Sequence, residues 1–278
     1  MEVIKKLDLY KYNTMRLHCI ADTAIFPNSY NELVSFISSG EKFVVLGGGS
    51  NVILPETLHT NVVLLQNLPD EIEVNDEEVA CGASVRIQKL IRECQKQSLG
   101  GFEYLYSVPC MVGGAVYMNA GRGEIFNQSI SDYIIGVDCY NVNTQKFEVL
   151  SKDECHFAFR RSVFHDNTRI ILRVHLKLEK SSFDDIESRI KERLEISKKN
   201  LDASKPSSGS IFLQSSPKIM KLIKGVRIGG ACWSKKTDNW ISNDRNGRYK
   251  DVVKLIRIVQ ILHRLLNKKC CREVIIYK

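Results

Sequence analysis

The sequence predicts an α+β chain folded in two parts. Three observations carry this expectation. Helical and strand periodicities mix without a strict βα alternation. Glycines crowd at two separate places, Gly47–Gly49 and Gly113–Gly123. A Pro/Ser/Gly stretch, LDASKPSSGS at 201–210, separates a long helical pattern from the C-terminal quarter and marks a domain boundary nearby. A chain of 278 residues is long enough for two domains.

The elements follow in order. Ser29 with Glu32 three residues on is a capping box, opening a helix whose apolar face is Leu33, Phe36 and Ile37. KFVVLGGGSNVIL reads as strand, glycine turn, strand, and NVVLLQ and VACGA are further short strands. From Ser84, the apolar positions Ile87, Leu90, Ile91 and Cys94 keep helical spacing, with a stop expected at Gly100–Gly101. DYIIGVDCYNVNTQKFEVL is a hairpin turning at NVNT, and TRIILRVHLKLE is an alternating strand. FDDIESRIKERLEISKKN is a helix with Phe183, Ile186, Ile190 and Leu194 along one stripe. Beyond the linker come a strand at SIFLQ, a helix at KIMKLIKG, a longer helix at 251–267 and a final strand, EVIIYK.

Composition narrows the function classes. Hydrophobic residues at 44% and charged residues at 26% are ordinary for a globular protein. No apolar run reaches the roughly eighteen residues of a membrane span, and the N-terminus lacks a signal-peptide core. The net charge of +8 suits nucleic acid or a small polyanion such as a nucleotide diphosphate. The lysine pairs are scattered and no RNA-reading motif accompanies them, so nucleic acid is the weaker option. Nine cysteines without a CxxC pair read as reduced thiols in a reducing cytoplasm. No metal-ligand cluster and no obligate protein partner is legible.

The first glycine cluster is not a dinucleotide fingerprint. Gly47-Gly48-Gly49-Ser50-Asn51-Val52 lacks the third spaced glycine, and NVIL continues as a strand. No Gly-Lys-Ser/Thr follows, so it is no P-loop. Two readings stay open: a tight hairpin turn, or successive bare amides cradling a phosphate, with Ser50 and Asn51 adding donors. The second cluster, VGGAVYMNAG, gives weight to the latter. Two stretches of bare backbone suggest two walls around a long, flat ligand with a pyrophosphate.

Six segments in order then resemble the UDP-N-acetylenolpyruvoylglucosamine reductase (UDP-N-acetylmuramate dehydrogenase) family. They are LGGGSNVIL at 46–54, GFEYLYSVPCMVGGAVYMNAG at 101–121, FAFRRS at 157–162, SSGSIF at 207–212, KGVRIGGACWSKK at 224–236 and REVIIY at 272–277. ADTAIFPNS at 21–29 resembles the family's opening strand. The resemblance implies a two-lobed FAD-binding fold of the PCMH (vanillyl-alcohol-oxidase) type over 1–180, with lobes of about 1–84 and 85–180, and a C-terminal α/β substrate domain over 181–278. It implies FAD as cofactor, NADPH as co-substrate and a UDP-sugar substrate. The activity it implies is reduction of an enolpyruvyl ether to UDP-N-acetylmuramate, in peptidoglycan precursor synthesis.

The resemblance also implies residue roles. Ser210 matches the proton-donating serine, Arg160 the arginine that meets the developing carboxylate charge, and Glu273 the C-terminal glutamate that supports the proton-donor network. Arg161 is the alternative should the register slip by one. Gly47, Gly48, Gly49, Ser50, Asn51, Pro109, Cys110, Val112, Gly113, Gly114, Asn119, Ala120 and Gly121 would line the FAD. Arg227 and Lys235 would neutralise the UDP diphosphate. The chain also departs from the pattern. Cys110 stands where the family has glycine, FLQS replaces FKNP, SKKTDNWISN replaces SKKHAGFIVN, and His18-Cys19 replaces a glycine pair. Cys110 is either a small replacement for glycine or a thiol placed to modify the flavin. Two further readings remain open at this point: a flavin oxidoreductase for another nucleotide sugar or carboxylate, and an inactive flavin-binding protein.

Overall fold

A computed structural model describes residues 1–123 and 127–278. By compactness the chain forms two units, interleaved along the sequence and not parted by one cut near residue 180. The first holds Met1–Val3, Ile25–Gly47 and Val62–Glu195, and the second Ile4–Ala24, Gly48–Asn61 and Ile196–Lys278. The boundary runs through Glu2–Asp8, Ile20–Phe26, Thr57–Leu64 and the helix Phe183–Asn200.

In the first unit, five antiparallel strands form a sheet in the order Lys146–Ser151, Ile134–Asn141, Arg169–Lys177, Glu78–Gly82, Ile72–Asn75. The hairpin turns as expected, with Asn141 opposite Lys146. The Asn141 carboxamide accepts from the backbone N–H groups of Asn143 and Thr144, the local bond that makes asparagine a turn residue. The central strand Arg169–Lys177 buries Ile170, Ile171, Leu172, Val174 and Leu176. The helix Ile87–Lys96 packs Ile87, Leu90, Ile91 and Cys94 into the same core.

The Ser29 hydroxyl caps the helix Tyr30–Ser38 by accepting from the Glu32 N–H at 3.2 Å, a bond worth about 1 kcal/mol. The reciprocal half shifts by one residue, because the Glu32 carboxylate takes the Asn28 N–H instead. The helix from Ile87 ends before Gly100–Gly101. Ser98 turns the chain at φ +56, and Gly100 pairs with Glu179 in a short ladder. On the helix Phe183–Asn200 only Ile186 and Ile190 of the four-residue stripe are buried, while Phe183 and Leu194 are exposed.

In the second unit, Ser207–Ser210, Trp240–Asn243, Ala231–Trp233 and Arg227–Ile228 form an antiparallel sheet in that order. The helices Pro217–Leu222 and Tyr249–Leu265 share its core, where Trp233, Leu255 and Val259 are buried. Asn243, fully buried, donates to the carbonyls of Met15 and Arg16 and accepts from the Gly247 N–H. His263 is likewise satisfied: Nδ1–H donates to the Val259 carbonyl and Nε2 accepts from the Ser216 N–H.

The glycine turn does not return as a hairpin. Val52–Ile53 pairs in parallel with Ile275–Ile276 near the C-terminus, Val52 opposite Ile275. The expected final strand is split, Cys271–Arg272 pairing with Phe212–Gln214 before Ile275–Ile276 begins. Among the described residues no helix is long and apolar enough to cross a membrane.

Candidate active site

In the first unit, the second glycine cluster is a short helix and not a loop. Val112–Tyr117 begins where the Val112 N–H meets the Val85 carbonyl at 2.8 Å and the Gly113 N–H meets the Ala83 carbonyl at 2.9 Å. Those two amides are therefore satisfied within the protein. A Cβ at Gly113 would lie 2.9 Å from the Ala83 Cβ, so glycine is needed there for packing. A Cβ at Gly121 would collide with the Gln128 carbonyl on the paired strand. Gly114 and Gly47 differ, since a Cβ at either would touch nothing within 4 Å. Among Gly47, Gly49, Gly113, Gly114 and Gly121, these two leave open space beside the backbone.

Pro109 is exposed at the entrance. Cys110 is buried in the core, and burial pushes its thiol up to about 12. A thiol so far from ionising is a small packing residue and a poor nucleophile. The helix ends at Asn119, which is buried and holds a positive φ of 42°. Its carboxamide donates to the Ala158 carbonyl and accepts from the Ser131 N–H. The Ala120 N–H closes onto the Ala115 carbonyl at 2.8 Å.

Arg160 sits at the corner of a tight turn, with Ala158 and Arg161 exchanging both backbone hydrogen bonds and Arg160 at φ +55. Its guanidinium donates to the carbonyls of Asn119, at 3.1 Å, and Gly121, at 2.6 Å. The structure thus brings Arg160 to the end of the glycine segment, while Arg161 is exposed. The Tyr104 hydroxyl, in the segment leading to Pro109, is buried with no hydrogen-bond partner among the described residues. Burial pushes its pKa up, and Arg160 is near enough to oppose that shift.

Two residues of the first unit were not foreseen. Arg189 and Arg193, one helical turn apart, reach residues that are also four apart. Arg189 makes two bonds of 3.1 Å to the buried Glu103 carboxylate, and the Arg193 Nε donates to the Ser107 hydroxyl at 2.9 Å. Burial and the charge of Arg122 hold Arg193 below its ordinary pKa. The signal is present in the i, i+4 spacing.

The second unit holds the first glycine cluster from Gly48 on, Ser210 and Glu273. Gly49 holds φ +62, and a Cβ there would run into the Tyr12 carbonyl. Its own carbonyl accepts from the Thr14 N–H at 3.0 Å. Ser50 and Asn51 are half-buried, as is Gly48. The Asn51 carbonyl accepts from the Ile275 N–H at 3.0 Å, two residues beyond Glu273. Ser210 is half-buried opposite Trp240, just after a bulge at Gly209 with φ +75. The Ile211 carbonyl accepts from the Glu273 N–H at 2.9 Å. The turn at 49–51, Ser210 and Glu273 are therefore held on adjoining backbone.

Asn239, also unforeseen, fixes this junction. At φ +63 its carbonyl takes the Ile211 N–H, and its carboxamide both accepts from the Phe212 N–H and donates to the Phe212 carbonyl. Arg227 and Lys235 are held elsewhere in the unit. Arg227 pairs with Asp244, which also takes Lys205 at 2.5 Å. Those two cations hold Asp244 below the usual carboxylate range. Lys235 is exposed and lays its stem along Gly225.

A family model described as an FAD binding domain matches residues 21–146. With the mixed sheets, this defines an FAD-binding α+β protein. Relatives named UDP-N-acetylenolpyruvoylglucosamine reductase are similar along most of their length. The protein from Thermotoga petrophila is 33% identical over 230 residues, 78% of each chain. That from Thermosipho melanesiensis is 32% identical over 247 residues, 85% of this chain and 82% of its own. The crystal structure of the enzyme of that name from Thermus caldophilus superposes with a TM-score of 0.82 at 27% identity, covering 100% of this chain and 98% of the other. The chain belongs to the UDP-N-acetylenolpyruvoylglucosamine reductase family.

Proposed function

We propose that this protein reduces the enolpyruvyl ether of UDP-N-acetylglucosamine to UDP-N-acetylmuramate in the cytoplasm, with FAD as cofactor and NADPH as co-substrate. Beyond family membership, the observation that supports this most is the hydrogen bond from Glu273 to Ile211, which ties the glutamate's strand to the residue after Ser210. Bound FAD, once reduced by NADPH, supplies the hydride that the double bond accepts.

The chain's own residues then have three tasks. Charge developing beside the substrate carboxylate needs a cation, and the planar fork of Arg160 suits a carboxylate better than an ammonium would. The carbon left negative needs a proton, which the Ser210 hydroxyl donates. A serine is a poor acid, so its geometry must be fixed, and Asn239 and Glu273 bond the residues that follow it. Glu273 supports the carboxyl of the substrate and the proton donor. Residues 47–51 and 109–121 hold the FAD, with Gly47 and Gly114 as points of close approach. Arg227 and Lys235 neutralise the UDP diphosphate, Arg227 sharing its charge with Asp244. In this reading residues 1–180 bind FAD and 181–278 bind the sugar nucleotide.

The test follows the visible flavin band anaerobically. NADPH should bleach it and the enolpyruvyl UDP-sugar should restore it. Bleaching without recovery would mean a different acceptor, and a chain that binds no flavin would end the proposal.

A further inference from the structure

The chain's charge is concentrated at one end. Residues 215–278 carry 16 Lys and Arg against 4 Asp and Glu, a net +12, which leaves residues 1–214 with 24 against 28, a net −4. Within the basic segment, the helix Tyr249–Leu265 has two apolar faces. One, with Val252, Leu255, Ile256 and Val259, is buried in the core of the second unit. The other is open: Ile258, Ile261 and Leu265, with Leu266 just beyond, are 36, 57, 75 and 57% exposed. At about 100° per residue these three helical positions form a second stripe, away from the buried one.

Exposed basic residues border that stripe. Arg257 and Arg264 lie along its flank, Lys254 stands in line with it one turn before Ile258, and Lys268 and Lys269 follow the helix end. Among the described residues no ion pair engages these five. The helix's one acidic residue, Asp251, is buried and accepts from the Arg248 N–H. An aliphatic stripe edged by unneutralised cations matches the boundary of an anionic bilayer, where long basic stems lie on apolar surface and their heads reach phosphate.

We propose that this face docks the protein on an anionic lipid surface. Charge decides among the occupants. A second copy laid face to face would set these five cations against the same five. The stripe itself is Ile and Leu, with no ring for base stacking. Each basic residue near an anionic leaflet adds to binding in proportion to surface charge, and salt weakens it.

The experiment floats the full-length protein with vesicles of equal phosphatidylglycerol and phosphatidylcholine, and with vesicles of phosphatidylcholine alone. Binding is expected only to the anionic vesicles, falling between about 50 mM and about 300 mM salt. Leu265→Gln should lower partitioning about tenfold, and Arg264→Gln about fivefold. Both side chains are exposed, so circular dichroism of each variant should match the parent. No flotation with anionic vesicles would overturn the proposal, as would wild-type flotation by Leu265→Gln. Concentration-dependent dimers without lipid, dissolved by Leu265→Gln, would also overturn it and assign the face to a second copy.

Discussion

The backbone N–H of Glu273 donates to the carbonyl of Ile211 at 2.9 Å. Sixty-two positions apart in sequence, the strand bearing the glutamate and the residue after Ser210 are direct partners. If Ser210 is the proton donor, Ser210→Ala should slow flavin reoxidation by the enolpyruvyl sugar about 10²–10⁴-fold. Bleaching by NADPH should keep its parent rate. Glu273→Gln should slow the same half-reaction and leave flavin reduction intact. Stopped-flow absorbance of the two half-reactions separates these effects, and a loss shared equally between them would count against both roles.

Arg160 makes a different kind of link, from a tight turn to the carbonyls of Asn119 and Gly121. Lysine keeps the charge but cannot span two carbonyls with a fixed fork. Hydrogen bonds to a charged group are each worth about 1.5–3 kcal/mol, so Arg160→Lys should lower turnover at least about tenfold. The companion Arg161→Lys, at an exposed position, should leave turnover within about twofold. The reverse order of effects would move the catalytic assignment by one residue.

The glycines divide by what a methyl group would meet. At Gly113 and Gly49 it would meet the protein itself, so alanine should destabilise the fold by about 1–3 kcal/mol whether or not flavin is present. At Gly114 it would meet nothing, and alanine in a helix is favoured over glycine by up to about 1 kcal/mol. Gly114→Ala should therefore hold or raise the melting temperature of the flavin-free protein while weakening FAD binding, measured by fluorescence titration. Unchanged FAD affinity would remove Gly114 from the cofactor wall.

Much of the scaffold was legible because its signals are local. Ser29 caps the helix it precedes, Asn141 turns its own hairpin, and Ile87, Leu90, Ile91 and Cys94 are spaced on one buried face. The misses come from distant partners. Val52–Ile53 is two residues long and pairs more than two hundred residues away, so nothing nearby distinguishes it from a hairpin arm. The close approach of Ala83 to Gly113 and of Tyr12 to Gly49 was likewise hidden, since a glycine does not reveal what lies against it. The candidates Ser210, Arg160 and Glu273 were reachable through motifs. Asn239 was not, because its role exists only once Ile211 and Phe212 lie beside it.

A pH dependence is built in beside the glycine helix. His165 stacks on Tyr117 at 4.2 Å, and its Nδ1 accepts from the Ser162 N–H, so the folded state uses the neutral ring. Burial, helped by the charge of Arg161, lowers its pKa. The sign follows from linkage. A histidine with a depressed folded pKa contributes stability above its unfolded value of about 6.5, and that stability is lost as pH falls through the folded pKa. Thermal melts from pH 8 to pH 5 should therefore show an acid-side loss in the parent that His165→Asn reduces. The variant should be less stable than the parent at pH 8, where the neutral ring and its stacking are missing, and the gap should narrow toward pH 5. A gap that widens on acidification would mean that the protonated ring is the stabilising form and that the Ser162 bond does not set its state.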